Sequence, residues 1–259
     1  MDQILELKDS TEEHGEKILS QNQEFYLLEN LKRFLKTRQT SKPWYSQINF
    51  PLANNAIIPT DFVNLYSAEE GSFISTISDI TAKKTDRYAC TLQFDSWLNI
   101  LAKTNEPLKK IVESLNTCIF DQYGEWYISA VFSQYKSKTR SLEICSVGTC
   151  YAFLLQHDTG ILQTIDFCDP LGMQKNFVFT SKSFIVEPGD IFFACTDGVY
   201  NSKNNNGKAL GKDFLQNLIK SCQMMSIYTQ VEKIQNILTQ KHSQGVIQDD
   251  RTIQFIKFQ

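Results

Sequence analysis

Short apolar segments of strand length dominate the chain, and its helical patterns occur in groups rather than between successive strands. Alternating, β-branched and aromatic patterns predict strands at residues 47–50, 61–67, 73–78, 126–135, 141–147, 152–156, 177–186, 191–195 and 252–258. Helical spacing predicts helices near residues 86–103, 107–120, 212–221 and 227–241. This order predicts an α+β fold in which two mostly antiparallel sheets form a β-sandwich with helices outside.

The chain divides into an N-terminal helical segment, residues 1–42, and a main domain, residues 43–259. Apolar positions such as Ile18, Phe25 and Leu35 follow a mostly helical spacing, and Lys42-Pro43 ends the pattern. Two interpretations of this N-terminal helix stay open. It packs on its own domain, or it joins the protein to a dimer partner or a sensor domain.

The composition excludes several classes of function. Lys plus Arg number 26 and Asp plus Glu 29, so a net charge of -3 gives no general attraction for nucleic acid. No apolar stretch approaches the roughly 20 residues that span a bilayer, and no secretory signal is recognisable, so we expect a cytoplasmic protein. The 7 cysteines contain no CxxC pair and the 3 histidines are scattered, which argues against a structural zinc site.

Aspartates stand where several apolar strands run out, namely Asp61, Asp79, Asp197 and the pair Asp249-Asp250. Crowded carboxylates repel one another unless a hard divalent ion holds them together. Two such ions can lower the pKa of a shared water and present it to a phosphoester, so metal-assisted hydrolysis is the leading hypothesis. Ordinary surface turns remain the alternative for Asp197-Gly198 and for Asp249-Asp250.

Rival chemistries have little support in the sequence. There is no Cys-x5-Arg string for a thiol phosphatase and no Gly-x-Ser-x-Gly elbow for a serine hydrolase. The segment 207–213 misses the P-loop spacing and lacks the Ser or Thr that follows the P-loop lysine.

The chain contains a series of short motifs in a specific order. It comprises Pro59-Thr60-Asp61-Phe62-Val63-Asn64, Ser78-Asp79-Ile80-Thr81-Ala82-Lys83-Lys84, Ser146-Val147-Gly148-Thr149, Pro170-Leu171-Gly172, Pro188-Gly189-Asp190, Thr196-Asp197-Gly198-Val199 and Asp249-Asp250-Arg251-Thr252. In this order and spacing the motifs resemble those of the metal-dependent PPM serine/threonine phosphatases, in the bacterial SpoIIE/RsbU-like branch.

That resemblance implies a β-sandwich flanked by helices and a site with two Mn²⁺ or Mg²⁺ ions. Asp79 would bridge the ions, the Ile80 carbonyl would ligate one, and Asp197 and Asp249 would complete the catalytic set. Asp61 and Asp250 would be further metal-binding or nearby acidic residues. Implied substrates are phosphoserine or phosphothreonine proteins, often anti-sigma-factor antagonists in partner-switching signalling.

The chain departs from the family pattern beside the expected metals. Ala82 and Lys84 replace glycines, and Pro59 replaces the first glycine of its motif, which reduces backbone freedom. Lys84 is open to three interpretations: a phosphate ligand, a substitute for part of the cation charge, or an exposed lysine. Two alternative functions follow, a weak or inactive pseudophosphatase acting as an interaction module, and an unrelated metal-dependent hydrolase of small phosphoesters.

Overall fold

The computed structural model describes residues 45–50, 60–68, 71–83, 86–123, 126–176, 178–203, 207–240 and 249–259. These residues all belong to one compact unit, Gln39–Gln259. The helix predicted within residues 1–42 lies outside the described residues, as do Pro59 and Lys84.

Two β-sheets form the centre of the molecule. The first contains, in spatial order, β1 (Tyr45–Phe50), β11 (Arg251–Lys257), β10 (Ile191–Cys195), β6 (Tyr151–Leu155) and β7 (Leu162–Thr164). The second contains β2 (Asp61–Ser67), β3 (Phe73–Thr81), β4 (Tyr127–Lys136), β5 (Ser141–Val147) and β8 (Phe167–Cys168), and β9 (Lys182–Ile185) also pairs with β5. The β5–β8 pair is parallel, whereas the other strand pairs are antiparallel.

Helices cover the outer faces of both sheets. They are α1 (Arg87–Leu101), α2 (Leu108–Tyr123), α3 (Asp197–Tyr200), α4 (Gly211–Ser221) and α5 (Ile227–Gln240). The Phe94 ring of α1 makes edge contacts with Phe62 and Phe132 of the second sheet. Residues of α4 and α5 share a buried cluster with the first sheet. None of the described helices combines the length and the apolar character needed to cross a bilayer.

The surroundings of strand β10 explain why its sequence is apolar throughout. Phe192 and Ala194 belong to the cluster between the two sheets. Ile191, Phe193 and Cys195 belong to the cluster between the first sheet and its helices. Because alternate side chains point to opposite faces and both faces are covered, every position is buried.

The predicted helix-flanked α+β sandwich is confirmed, with differences in single elements. The strand expected at 73–78 extends to Thr81, because pairing with β4 continues through Thr81 opposite Tyr127. Asp79 therefore lies inside a strand rather than at its end. The strand expected at 177–186 was wrong for 178–181, since only Lys182–Ile185 pairs with β5.

Several short elements were not predicted. The strands β7 and β8 span Leu162–Thr164 and Phe167–Cys168, and the residues after Thr196 form the short helix α3 rather than a simple turn. Each is too short to show a period of its own in the sequence.

Candidate metal centre

Two of the predicted aspartates are neighbours on the inner face of the second sheet. Asp61 of β2 stands directly opposite Asp79 of β3 in the antiparallel register, and directly opposed residues project from the same face. Val63 and Ile77, each two positions from the aspartate of its own strand and therefore on the same face, belong to the cluster between the sheets. The two carboxylates therefore lie at one end of the space between the sheets.

Hydrogen bonds join this pair to the first sheet. The Thr196 hydroxyl, at the end of β10, donates to Asp61 Oδ2 at 2.7 Å and accepts the Thr252 N–H at 3.0 Å. The Asp250 carboxylate accepts both the Thr60 N–H at 2.6 Å and the Thr60 hydroxyl at 3.1 Å. The ends of β2, β10 and β11 are thus held together beside Asp79.

Gly198 brings the last two aspartates together. A Cβ built on Gly198 would lie 1.9 Å from the Asp250 carbonyl oxygen and 3.3 Å from Asp249 Cβ. Only a residue without a side chain permits this approach of α3 to the Asp249-Asp250 segment. Asp197 consequently stands next to Asp249.

The aspartates divide into two groups by exposure. Asp61 and Asp250 are each only 3% exposed and hydrogen-bonded to threonines. Asp79 and Asp197 are partly exposed, and Asp249 is exposed. The side chains of Asp79, Asp197 and Asp249 can therefore contact a ligand that enters from solvent. Those of Asp61 and Asp250 support these residues from the protein interior.

Burial and mutual repulsion hold protons on this group more tightly than usual. Burial first, and then the charges of Asp197 and Asp249, raise the pKa of Asp79 to about 6. The pKa of Asp249 is raised by burial and by the charge of Asp197, and that of Asp197 is raised by burial. The pKa of Asp61 is raised well above its usual range, again mainly by burial.

The chemistry of these donors fits a hard divalent cation. Their oxygens are the ligands such ions prefer, and a cation would relieve the repulsion that raises the pKa of Asp79. Within the described residues, no three His, Cys, Asp or Glu side chains are already gathered around one point. Mg²⁺ commonly uses one or two carboxylates and completes its shell with water, so the fit does not depend on such a gathering.

The backbone of Ile80 lies beside the acidic group. Its side chain is fully buried, and its N–H donates to the Thr60 carbonyl at 2.9 Å. This bond holds Thr60, and with it the contact to Asp250, next to β3.

The replacement of glycine by Ala82 imposes no backbone strain. In the described part of the chain, the only non-glycine residues with positive φ are Asn105 and Arg140. Ala82 therefore adopts a conformation open to any L-residue.

Sequence reasoning missed three residues of this site. Thr60 and Thr196 orient the buried aspartates, and the charge of Arg87, at the start of α1, offsets a small part of the rise that burial and Asp197 cause in the pKa of Asp249. The Arg87 Nε–H donates to the Ala82 carbonyl at 3.2 Å. Thr196 precedes Asp197 directly and was within reach of sequence reasoning, whereas an arginine at a helix start carries no comparable signal.

The profile of the family described as Stage II sporulation protein E (SpoIIE) matches residues 69–259. No curated protein matches.

Solved structures that share the fold include three with related descriptions. The SiaA-PP2C domain of Pseudomonas aeruginosa superposes with a TM-score of 0.77 at 13% identity, covering 94% of this chain and 98% of that one. RsbX in complex with magnesium superposes with a TM-score of 0.65 at 16% identity, covering 85% of this chain and 98% of that one. The catalytic domain of the serine/threonine phosphatase PstP, in complex with 2 manganese ions, superposes with a TM-score of 0.61 at 14% identity. The match covers 83% of this chain and 98% of that one. The chain therefore belongs to the SpoIIE family, and its fold is that of the PP2C-type phosphatases.

Proposed function

We propose that the protein is a metal-dependent protein phosphatase that removes phosphate from phosphoserine or phosphothreonine. The observation that carries this proposal is that Asp79, Asp197 and Asp249 lie close enough at one end of the sandwich for the charges of Asp197 and Asp249 to raise the pKa of Asp79, and that all three are accessible to solvent. A group of carboxylates that raise one another's pKa is expected where a site is built for a divalent cation or for proton transfer.

Each aspartate has a role in this proposal. Asp79, Asp197 and Asp249 would hold two Mn²⁺ or Mg²⁺ ions together with the Ile80 carbonyl. Asp61 and Asp250, buried and bonded to threonines, fix the ligands' positions or add ligands of their own. Such ions supply a water of lowered pKa and neutralise phosphate charge. The magnesium and manganese complexes of RsbX and PstP support this choice of metal.

We assign the contact with the substrate phosphate to Arg87. The charge of Arg87 interacts with the Asp249 carboxylate, and the Arg87 Nε–H donates a hydrogen bond to the Ala82 carbonyl in the segment that follows β3. Guanidinium groups bind phosphate oxygens strongly, often through two parallel hydrogen bonds.

The expected substrate is a phosphorylated regulatory protein of the anti-sigma-factor-antagonist type, acting in partner-switching signalling. We expect the protein to work in the cytoplasm, which is supported by its free cysteines at 90, 118, 145, 150, 168, 195 and 222. Dimerisation or sensor coupling through the N-terminal helix is a further part of this proposal.

The direct test is hydrolysis of a phosphoserine peptide with Mn²⁺ or Mg²⁺, with and without a chelator. We expect release of phosphate that needs metal and falls by at least about a hundredfold in Asp79→Asn and Asp197→Asn. Asp121→Asn is the matched control, because Asp121 is exposed and pairs with Lys175 at 2.8 Å on the surface. Hydrolysis that persists in both site variants with chelator present would contradict the proposal.

The second candidate function is a pseudophosphatase that binds a phosphoprotein without turnover, and the replaced glycines favour it. The unstrained backbone of Ala82 removes one of the reasons to expect lost activity. Tight phosphopeptide binding without any phosphate release would identify this alternative. Turnover of nucleotides or sugar phosphates but not phosphopeptides would instead identify a hydrolase of small phosphoesters.

A further inference from the structure

A pair of hydroxyl groups begins beside Asp79, on the side of β3 that faces away from Asp61. Asp79 stands opposite Ser129 of β4 in the antiparallel register, just as it stands opposite Asp61 of β2. Directly opposed residues share a face, and their Cβ atoms are about 4.5–5.5 Å apart. Ser129 is partly exposed, whereas Val131 and Ser133, the next residues on that face of β4, are buried. The Ser129 side chain therefore lies at the same accessible end of the sheet as Asp79.

The turn that follows β5 packs directly on Ser129. A Cβ added to Gly148 would lie 2.2 Å from Ser129 Oγ, so only glycine permits this contact. The next residue, Thr149, is exposed, and its hydroxyl donates to Ser129 Oγ at 3.3 Å. The Ser146 hydroxyl donates to the Cys150 carbonyl at 2.8 Å and closes the turn. This motif, which has no role in the proposed metal centre, thus encloses Ser129 on one side.

The same turn is joined to the helix that carries Asp197. Asp197 is the first residue of α3, and Tyr200 is the last. The Tyr200 hydroxyl donates to the Thr149 carbonyl at 2.8 Å. Ser129 and Thr149 consequently connect the strand of Asp79 to the helix of Asp197, and their hydroxyls belong to the surroundings of the accessible aspartates.

The Ser129 hydroxyl keeps its hydrogen available for a ligand. Its oxygen accepts the Thr149 hydroxyl, and no acceptor for its own hydrogen lies within hydrogen-bond distance among the described residues. A hydroxyl carries no charge that would repel a divalent cation held by Asp79. It can donate to the oxygens of an anion that binds the same cation, and such charge-assisted hydrogen bonds are strong.

We propose that Ser129 donates a hydrogen bond to a phosphoryl oxygen of the substrate, and that Thr149 is a positioning residue for Ser129. By donating to the Ser129 oxygen, Thr149 occupies one of its lone pairs and limits the rotation of the hydroxyl. The inference rests on the proposed phosphatase function and adds a substrate contact to it. It concerns binding and does not require turnover.

The test is the binding of a fluorescent peptide in which a methylene group replaces the ester oxygen of phosphoserine, so that hydrolysis is impossible. Fluorescence anisotropy with Mg²⁺-loaded protein gives the Kd of this phosphonate peptide and of the same peptide with unmodified serine. Ser129→Ala should weaken binding of the phosphonate peptide by about tenfold, because one hydrogen bond to a charged oxygen is lost. Its affinity for the serine peptide and, by calorimetry, for Mg²⁺ should change by less than about twofold.

Two further comparisons separate the contact from effects on the fold. Thr149→Val removes the hydroxyl at nearly constant volume and should weaken phosphonate binding by about threefold to fivefold, whereas Thr149→Ser should restore wild-type affinity. Ser133→Ala is the matched control, because Ser133 lies on the same face of β4 but is buried and bonded to Ser75 at 2.6 Å. It should leave the affinity for the phosphonate peptide unchanged.

The possible results discriminate clearly. Wild-type affinity for the phosphonate peptide in Ser129→Ala, or an equal loss for the serine peptide, would overturn the inference. If Ser129→Ala does not fold, the two Thr149 variants decide, and equal affinities in Thr149→Val and Thr149→Ser would overturn it. Phosphonate binding that depends on Ser129, without hydrolysis of a phosphoserine peptide, would refute the proposed activity while upholding the contact.

Discussion

Individual aspartates in this protein do different work although they look alike in the sequence. Asp61 and Asp250 are buried because threonines distant in the chain, 135 and 190 residues away, satisfy their oxygens. Asp79, Asp197 and Asp249 lack such enclosure and face solvent in part. Sequence patterns singled out these five acids as candidates, but the division between buried and accessible acids depends on contacts between the two sheets.

Gly198 gives a sharp test of how the site is assembled. In Gly198→Ala the new methyl would collide with the Asp250 carbonyl, so we expect a loss of about 1–3 kcal/mol of unfolding free energy and a large loss of activity. Chemical denaturation and phosphopeptide hydrolysis measure the two effects.

Gly160→Ala is the matched control for that substitution. Gly160 has a φ of +66° and no atom within 4 Å of an added Cβ, so alanine there costs about 1 kcal/mol of backbone strain and leaves activity unchanged. Equal activity in both variants would contradict the role assigned to Gly198.

Arg87 tests the assignment of the phosphate contact. Arg87→Ala should raise KM for a phosphopeptide by about tenfold or more, because a charge-assisted hydrogen bond contributes roughly 1.5–3 kcal/mol. Arg140→Ala, a substitution of an exposed arginine that pairs with Glu187, is the control. An unchanged KM in Arg87→Ala would exclude Arg87 from substrate binding.

At the scale of elements, helix α1 is anchored to the second sheet by a buried carboxylate. Asp95 accepts hydrogen bonds from Asn64 Nδ2 at 2.9 Å and from the Tyr66 hydroxyl at 2.8 Å. The N-terminal end of the same helix carries Arg87. The anchor on β2 therefore contributes to the placement of Arg87 beside the acidic group.

Removing this anchor should destabilise the protein measurably. Asp95→Ala leaves the Asn64 amide and the Tyr66 hydroxyl buried without that acceptor, so we expect a loss of roughly 2–4 kcal/mol in chemical denaturation. Ser96→Ala, one residue further along on the exposed side of α1, should change stability by less than about 0.5 kcal/mol. A loss of similar size in both variants would show that the Asp95 contacts contribute little.

The sequence predicted most elements because their patterns are long and regular. The expected β2 and β5 match the structure at both ends, since 61–67 and 141–147 carry clear strand patterns. Two-residue β8 and four-residue α3 have no room for a period. Their existence depends on partners: Ser146 and Val147 pair with β8, and the Asp249-Asp250 segment packs against Gly198 in α3.

For the whole molecule, the crowded carboxylates predict an unusual pH dependence of stability without metal. The pKa of Asp79 is about 6 in the folded state against an ordinary 3.8. A raised pKa means that the folded state binds this proton more tightly than the unfolded state does. The stabilising contribution is therefore complete below about pH 3.8 and is lost as the pH rises through about 6.

Comparison with Asp79→Asn isolates this contribution from other titrating groups. In chelator, the variant should be more stable than the wild type at pH 7.5, by up to roughly 3 kcal/mol, and the advantage should vanish near pH 4. Urea denaturation at several pH values provides the measurement. A wild type that is the more stable protein at pH 7.5 would contradict the repulsion inferred among Asp79, Asp197 and Asp249.

The most direct test of the whole account is a calorimetric titration of metal-free protein with Mn²⁺. We predict saturable binding to the wild type and to Asp121→Asn, and binding at least about tenfold weaker, or absent, in Asp79→Asn. A wild type that gives no binding heat, or an Asp79→Asn isotherm identical to that of the wild type, would contradict the claim that these aspartates form a divalent-cation site.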